Sequence, residues 1–360
     1  MKQGWRFGRW AAVVAVASLI IAAGWTLLRQ PPEAAVGASS RAESLGFSMG
    51  TVVRVTAEGD RAEDAVAKVM AELDRLTPLF DRFRPYGDIA ALNGAGGDWV
   101  DVTPEVLELL EEALKLAELS GGAFDPTIAP VVDLWGFIEV EEAREGSSPT
   151  PMAGVAPPDP RELEEVLRRV DYRGIEIDRE SGRVRLRMPG QAVDLGAVAK
   201  GYAADRAAAL LRQEGVLRAL IDLGGDVYAL GTRPDGTPWR LGIRHPRAQG
   251  KIFGILRVSD AAVATSGDYE RYFEYEGVRY SHIIDPRTGW PAQELASVTV
   301  VAPSGVWADA LSTAAFVLGV EKGMALLESL PGVDGVFIDD QLKVYVTSGL
   351  VDRFERLPAE

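Results

Sequence analysis

The amino-acid sequence predicts an α+β domain of mainly antiparallel sheets flanked by helices, and three observations lead there. Alternating segments come in pairs joined by short turns: Gly174-Ile-Glu-Ile-Asp178 faces Arg183 to Met188 across a Ser-Gly turn, and Gly335 to Ile338 faces Leu342 to Val346. Helical stretches interrupt these pairs along the chain. The composition, 47% apolar and 25% charged over 360 residues, is that of an ordinary globular protein with room for one large or two ordinary domains.

The elements follow in order. Lys2, Arg6 and Arg9 precede an uncharged run from Trp10 to Leu28, which Arg29 closes. That run is long enough to span a bilayer, and the leading basic residues put the N-terminus in the cytoplasm and the bulk of the chain outside. A cleaved signal peptide is the rival reading, with Ile21-Ala-Ala23 as the trimming site. Trp25 to Leu28 continue the apolar run and favour a retained transmembrane anchor. The expected partition is therefore 1–29 as membrane anchor or signal segment, 30–43 as a linker rich in Pro, Ala, Gly and Ser, and 44–360 as the folded domain.

Within that domain Thr51 to Thr56 alternates as a strand. Arg61 to Leu76 follows as an amphipathic helix, with Ala65, Val69 and Leu73 on its core face and Pro78 just beyond its end. Phe80 to Gly97 reads as irregular. Thr103 caps a second helix, opened by Pro104 and closed by Ser120-Gly-Gly122, with Glu105, Glu108, Glu111 and Glu112 on a solvated face. Glu139 to Pro160 is an exposed loop, and Pro160 to Val170 a helix. After the first hairpin comes an Ala-rich helix, Ala203 to Leu211, then a strand to Asp222. Further strands are expected at Val227 to Gly231, Trp239 to Arg244, Phe253 to Val258, around Tyr272 to Tyr280, and at Leu295 to Val301. Helices at Ala308 to Leu318 and Lys322 to Leu330 precede the closing hairpin. No internal repeat is present.

Charge and composition exclude several functions. A net charge of −15 with no basic run argues against nucleic-acid binding. The absence of cysteine removes disulfides, thiolate catalysis, sulfur-bound metals and a lipoprotein anchor. With only His245 and His282, a zinc site is disfavoured, and any metal would be a hard cation held by oxygen.

The stretch Val193-Asp-Leu-Gly-Ala-Val-Ala-Lys-Gly-Tyr-Ala-Ala-Asp205 stops a strand at a carboxylate, turns on Gly196 and starts a helix with Lys200 in its first turns. Such a turn cradles an anion through free N–H groups and the helix dipole, with Asp194 as acceptor or metal ligand. A purely structural turn reads the same way, and the glycine spacing is not that of a P-loop. Asp309 and Thr313 lie one helical turn apart and so could share one Mg²⁺, or serve only as a first-turn acid and a backbone-bonded hydroxyl. His282 in Ser281-His-Ile-Ile-Asp-Pro-Arg-Thr-Gly289 is the natural general-base candidate, set by strand alternation on one face with Ile284 and opposite Asp285 unless the turn has begun. His245, before Pro246, reads as structural. Gly121-Gly-Ala-Phe-Asp-Pro126 and Ser48-Met-Gly-Thr51 read in isolation as turns.

Taken together and in order, Ser48-Met-Gly-Thr, Phe83-Arg-Pro, Gly122-Ala-Phe-Asp-Pro-Thr, the Val193 stretch, Gly224-Gly-Asp226, Ser281-His-Ile-Ile-Asp-Pro-Arg-Thr-Gly and Ala308-Asp-Ala-Leu-Ser-Thr-Ala closely resemble the ApbE family. These are Mg²⁺-dependent FAD:protein FMN transferases of bacterial envelopes, and the resemblance runs from about Ser44 to the C-terminus. It implies an ApbE-like, T-fold-related domain. It also implies cleavage of the FAD pyrophosphate and transfer of FMN to a Ser or Thr hydroxyl of a target protein, releasing AMP. By position, Met49, Phe83, Ala123, Phe124, Asp125, Asp194, Lys200 and Ile284 match the family's FAD contacts. Ala197, through its carbonyl, with Asp309 and Thr313, matches its Mg²⁺ ligands, and His282 its base. Many relatives are lipoproteins, whereas this chain carries an apolar anchor. The same outcome is expected, a catalytic domain at the outer face of the cytoplasmic membrane beside redox-complex subunits that accept flavin. Two other activities stay open, a Mg²⁺-dependent FAD pyrophosphatase giving FMN and AMP, and a flavin-storage protein without chemistry.

Overall fold

A computed structural model describes residues 40–137 and 156–358. The expected anchor and most of the expected linker lie outside the described residues, as does the loop from Glu139 as far as residue 155.

The domain is α+β, as the sequence indicates. Its centre is an eight-stranded, wholly antiparallel sheet formed by β1 (Arg41–Ser48), β2 (Thr51–Glu58), β6 (Arg218–Leu223), β7 (Asp226–Leu230), β10 (Ala261–Gly267), β13 (Leu295–Ala302), β14 (Asp334–Asp339) and β15 (Val344–Val346), in the order β1-β2-β6-β7-β10-β13-β14-β15. Period-two alternation sorts its side chains onto two faces. Ala262, Ala264, Val298, Val300 and Phe337 face a helical layer, whereas Val263, Val301, Val336 and Ile338 face a small sheet of β8 (Trp239–Arg244), β9 (Ile252–Val258) and β16 (Phe354–Arg356). Covered on both faces, β13 is buried at every position and therefore reads as a continuous apolar run.

The helical layer holds α1 (Ala62–Phe80), α6 (Ala199–Gln213) and α7 (Gly305–Glu328), with α3 (Pro104–Leu119) alongside. α7 is apolar all round because it is the core helix, laid on β10 and β13 and against α6. By length and composition alone it could cross a membrane. It breaks at Gly319 (φ 76°), which divides the two helical stretches expected there. Smaller parts complete the fold. They are α2 (Asp88–Gly94), α4 (Ala129–Trp135), α5 (Pro160–Leu167), a sheet of β3 (Val100–Asp101), β5 (Arg183–Leu186) and β4 (Ile175–Asp178), and the hairpin β11 (Tyr272–Tyr275) and β12 (Val278–Ser281).

Several local expectations need correction. Pro78 lies inside α1, not beyond it. Its missing N–H removes the helical bond to the Asp74 carbonyl, and the burial of Leu76 and Phe80 holds the last turn in place. Thr103 occupies the cap position of α3, but its hydroxyl makes no capping bond, and its N–H goes to Asp88 Oδ2 (2.6 Å). α2 lies within the stretch expected to be irregular. The glutamates of α3 are engaged: Glu105 with Arg75, Glu108 with the Tyr202 hydroxyl, Glu111 with Arg179, and Glu112 with the Trp307 indole. β1 takes in Arg41 to Glu43, which composition alone assigns to the tether, and β10 was not anticipated. β10 escapes pattern reading because its small residues, Ala261, Ala262 and Ala264, carry no strand signature.

Candidate active site

The site begins where α6 and α7 cross. Both helices carry glycine at the crossing, Gly201 and Gly305, and the backbones meet there without side chains between them. A Cβ on Gly201 would lie 2.1 Å from Gly305 O, and one on Gly305 2.2 Å from Gly201 O. Asp205, one turn along α6, caps the start of α7 by accepting from Gly305 N (2.6 Å), Val306 N (3.2 Å) and the Ser304 hydroxyl (2.8 Å). A carboxylate of one helix thus fixes the first turn of the other, and Asp309 follows one turn later.

Asp309 is buried and faces α6. Its Oδ2 accepts from Gly201 N (3.1 Å) and its Oδ1 from Lys200 Nζ (3.3 Å), which also contacts Asp226 Oδ2. One ammonium therefore balances two buried carboxylates. Burial pushes the Asp309 carboxyl above the ordinary carboxylate range; Lys200 opposes this and Asp226 adds to it. Burial alone would lower the Lys200 ammonium, but the two carboxylates outweigh it and hold it protonated. Thr313, one turn beyond Asp309, shares a hydrogen bond with Ser266 Oγ (3.2 Å), which also meets Ser312 Oγ (2.8 Å).

Asp309, Thr313 and the Ala197 carbonyl suit a hard cation. All three present oxygen, and one is charged. Ala197 precedes the cap of α6, so its carbonyl is outside the helical ladder, and the first-turn N–H of Gly201 is taken by Asp309. Among the described residues no three His, Asp or Glu side chains form a metal cage.

His282 lies just past β12, where the strand has ended, so strand alternation does not apply to it. Its backbone N–H and its Nδ1 both address the Arg271 carbonyl (3.0 and 3.3 Å). In the tautomer that donates from Nδ1, Nε2 keeps a free lone pair. Burial, then the charges of Arg271 and Lys200, push the imidazole below its ordinary value, so it is neutral at physiological pH. Asp285 is no partner to it: Arg287 grips both Asp285 oxygens (2.8 and 2.8 Å). An aromatic cluster secures this loop. Trp135 packs on Phe273, Tyr280 and Trp290, and its indole N–H donates to Gly289 O (2.8 Å).

The other expected positions divide by exposure. Met49 sits in the two-residue turn between β1 and β2 at φ 55°, an uncommon value for a side-chain-bearing residue, and its N–H donates to Thr77 Oγ1 (3.1 Å). Phe83 is half exposed above the Arg82 guanidinium (4.4 Å). Asp194 accepts from Gly196 N (2.7 Å) and pairs with Arg82 Nε (3.0 Å). Ala123, Phe124 and Ile284, by contrast, bury their side chains in the core clusters, which leaves only their backbones to meet a ligand. Asp125 turns inward to the Thr127 N–H and hydroxyl and to Tyr172 N (2.8, 2.6 and 2.9 Å), and burial raises its carboxyl. Sequence reasoning assigned no role to Arg82, Asp205, Asp226 or Ser266. The acid in Gly224-Gly-Asp226 and the Asp205 that ends the Val193 stretch are the signals available for two of them.

The ApbE family model matches residues 49–337. The chain belongs to the ApbE family. An FAD:protein FMN transferase of Treponema pallidum (strain Nichols) is 40% identical over 340 residues, 89% of this chain and 90% of that protein. One of Vibrio cholerae serotype O1 is 34% identical over 346 residues, 93% of this chain and 96% of the other. Among solved structures, the ApbE protein of Thermotoga maritima superposes with a TM-score of 0.78 at 31% identity, over 88% of this chain and 100% of that one. The flavin transferase ApbE of Vibrio cholerae gives 0.75 at 29% identity, over 88% and 99%. An ApbE fold carrying the Lys200, Asp226 and Asp309 cluster is thus the frame in which any chemistry has to be read.

Proposed function

We propose that this enzyme transfers the FMN half of FAD to a Ser or Thr hydroxyl of a target protein, releases AMP, and uses Mg²⁺. The observation that carries the reading is the glycine crossing. There a protonated lysine is held between two buried carboxylates where the backbones of α6 and α7 touch, and the Thr313 hydroxyl lies one helical turn from Asp309.

The chemistry follows from charge. A pyrophosphate approaching a chain of net charge −15 needs local positive charge, and because Lys200 is already shared by Asp226 and Asp309, a bound cation would have to supply it, aided by the N-terminal end of α6. Asp309, Thr313 and the Ala197 carbonyl would hold the Mg²⁺, which when bound would neutralise phosphate oxygens. The acceptor hydroxyl oxygen forms a bond to the FMN phosphorus, and the bond from that phosphorus to the bridging oxygen breaks. AMP leaves with the bonding electron pair, and the hydroxyl proton passes to Nε2 of His282. The exposed outer face of Phe83 and the Met49 side chain offer apolar surface to a flat ring. The target is a flavin-accepting redox subunit, met at the outer face of the cytoplasmic membrane, where the N-terminal apolar run holds the domain.

The test is incubation of the full chain with FAD, Mg²⁺ and a Thr-containing acceptor domain. The acceptor should gain the mass of one FMN and AMP should accumulate, both abolished by EDTA. Free FMN with an unmodified acceptor would replace this reading with the pyrophosphatase, and FAD recovered intact would replace it with storage.

A further inference from the structure

Arg82 is matched to no position of the family resemblance, yet its side chain is only 8% exposed and its guanidinium lies between two carboxylates, hydrogen-bonded to one and ion-paired with the other. Nη1 and Nη2 grip Asp133 on α4 (3.1 and 2.5 Å), and Nε meets Asp194 Oδ2 (3.0 Å). The ring of Phe83 lies over the guanidinium carbon at 4.4 Å. Burial alone would lower the guanidinium's pKa; Asp133 and Asp194 together more than reverse that.

We infer that Arg82 is a positioning residue for the flavin nucleotide: it fixes the Asp194 carboxylate and braces the Phe83 ring before the ligand arrives. The inference rests on the flavin-transfer reading above. Gly196 N donates to Oδ1 of Asp194 and the Arg82 guanidinium stands 3.0 Å from Oδ2, so both carboxylate oxygens are held. Its backbone N–H is tied in turn to Pro126 O (2.8 Å), so the turn that launches α6 is anchored at both ends. Ala197 and Lys200 lie directly downstream. On its other side, the guanidinium occupies one face of the Phe83 ring and leaves the opposite face to solvent. A ring stacked there meets a side chain already held in place, and less ordering is lost on binding. A planar fork is needed, because only arginine can serve Asp133 bidentately and still present Nε to a second carboxylate.

The test measures FAD binding by flavin fluorescence in the full chain, together with KM and kcat for transfer. Arg82→Ala should weaken FAD binding by roughly tenfold, the loss of an interaction made equally in ground and transition states, while kcat at saturating FAD changes less than about threefold. Arg82→Lys should restore thermal stability but not FAD affinity. The deciding measurement is a combined variant. If Arg82 acts through Asp194 and Phe83, adding Arg82→Ala to a chain that already carries Asp194→Ala and Phe83→Ala weakens FAD binding no further. Additive losses, or parental affinity in a folded Arg82→Ala, overturn the inference and leave the transferase reading standing. A parental chain that does not bind FAD overturns both.

Discussion

Replacing Gly201 by alanine is the sharpest test of the proposal that the crossing of α6 and α7 builds the site. The added methyl would stand 2.1 Å from Gly305 O, 2.4 Å from Gly305 C and 2.7 Å from Val306 N. All three atoms are backbone, so no side chain can rotate away. Ordinary contact requires the helices to part by roughly 1 Å, and an overpacked core of this kind loses about 1–3 kcal/mol. The separation also pulls the Gly201 N–H from Asp309 Oδ2 and shifts Lys200 and Ala197 against Asp309 and Thr313. A displacement of that size among reacting groups costs about a hundredfold in rate. Thermal melting and the FMN-transfer assay read the two effects separately. The expected result is a melting point lower by a few degrees, at about 2 °C per kcal/mol for a domain this large, with turnover down about a hundredfold. A Gly201→Ala protein that melts and turns over like the parent would show that the two helices do not need this approach. The account of the site would then fail.

Three further outcomes follow from the same geometry. Asp226→Asn removes one of the two charges that Lys200 balances but leaves Lys200 paired with Asp309, so it should cost no more than about 1 kcal/mol in urea unfolding; a loss of about 3 kcal/mol would show that Asp309 alone does not neutralise Lys200. Trp135→Ala, at the centre of the aromatic cluster, should lose about 3–5 kcal/mol and slow transfer more than it weakens FAD binding, since the indole holds the loop carrying His282; a loss of binding with normal kcat would contradict that order. The pH profile separates the titrating groups. His282 is held below its ordinary value, so it stays neutral as pH falls through 6.5 and no limb is centred there. Asp309 is raised, so on acidification it takes up a proton before an ordinary carboxylate would, and that proton competes with the metal. The acid limb should therefore move to lower pH as Mg²⁺ is raised, whereas a limb near 6.5 that ignores Mg²⁺ would assign the titration to His282.

The parts of this molecule that the sequence reveals are those whose physics is local. Hairpins joined by short turns, the amphipathic face of α1 and the helix break at Gly319 are each written in a few adjacent residues. Asp309 and Thr313 are legible for the same reason, since helical spacing alone puts them on one face. Long-range pairing is not local. Nothing adjacent to Arg82 announces that Asp133 and Asp194, far along the chain, will converge on it, and nothing near Asp205 says that it caps a helix beginning at Gly305. β10 is hidden for another reason, because a strand of small residues is specified by its neighbours and not by its own pattern.

The direction of a side chain is a third kind of information that a motif does not contain. Ala123, Phe124 and Asp125 sit in a stretch that the family resemblance marks as a flavin contact, which suggests the phenylalanine as a stacking surface and the acid as a ligand. In the fold both point inward, Phe124 into the core and Asp125 to three donors that close its own turn. What the motif specifies there is the path of the backbone. Phe83 behaves oppositely: it lies in a loop of weak signature, yet it is the aromatic left half exposed, and the guanidinium beneath it gives that exposure a purpose. A residue's place in a motif therefore identifies the segment that meets the ligand, and burial decides whether the side chain or the peptide group does the meeting. On that argument Phe124→Leu should disturb packing far more than flavin affinity, and Phe83→Leu the reverse. Measuring melting point and FAD binding on the two variants tests the distinction directly, and equal effects on both properties would dissolve it.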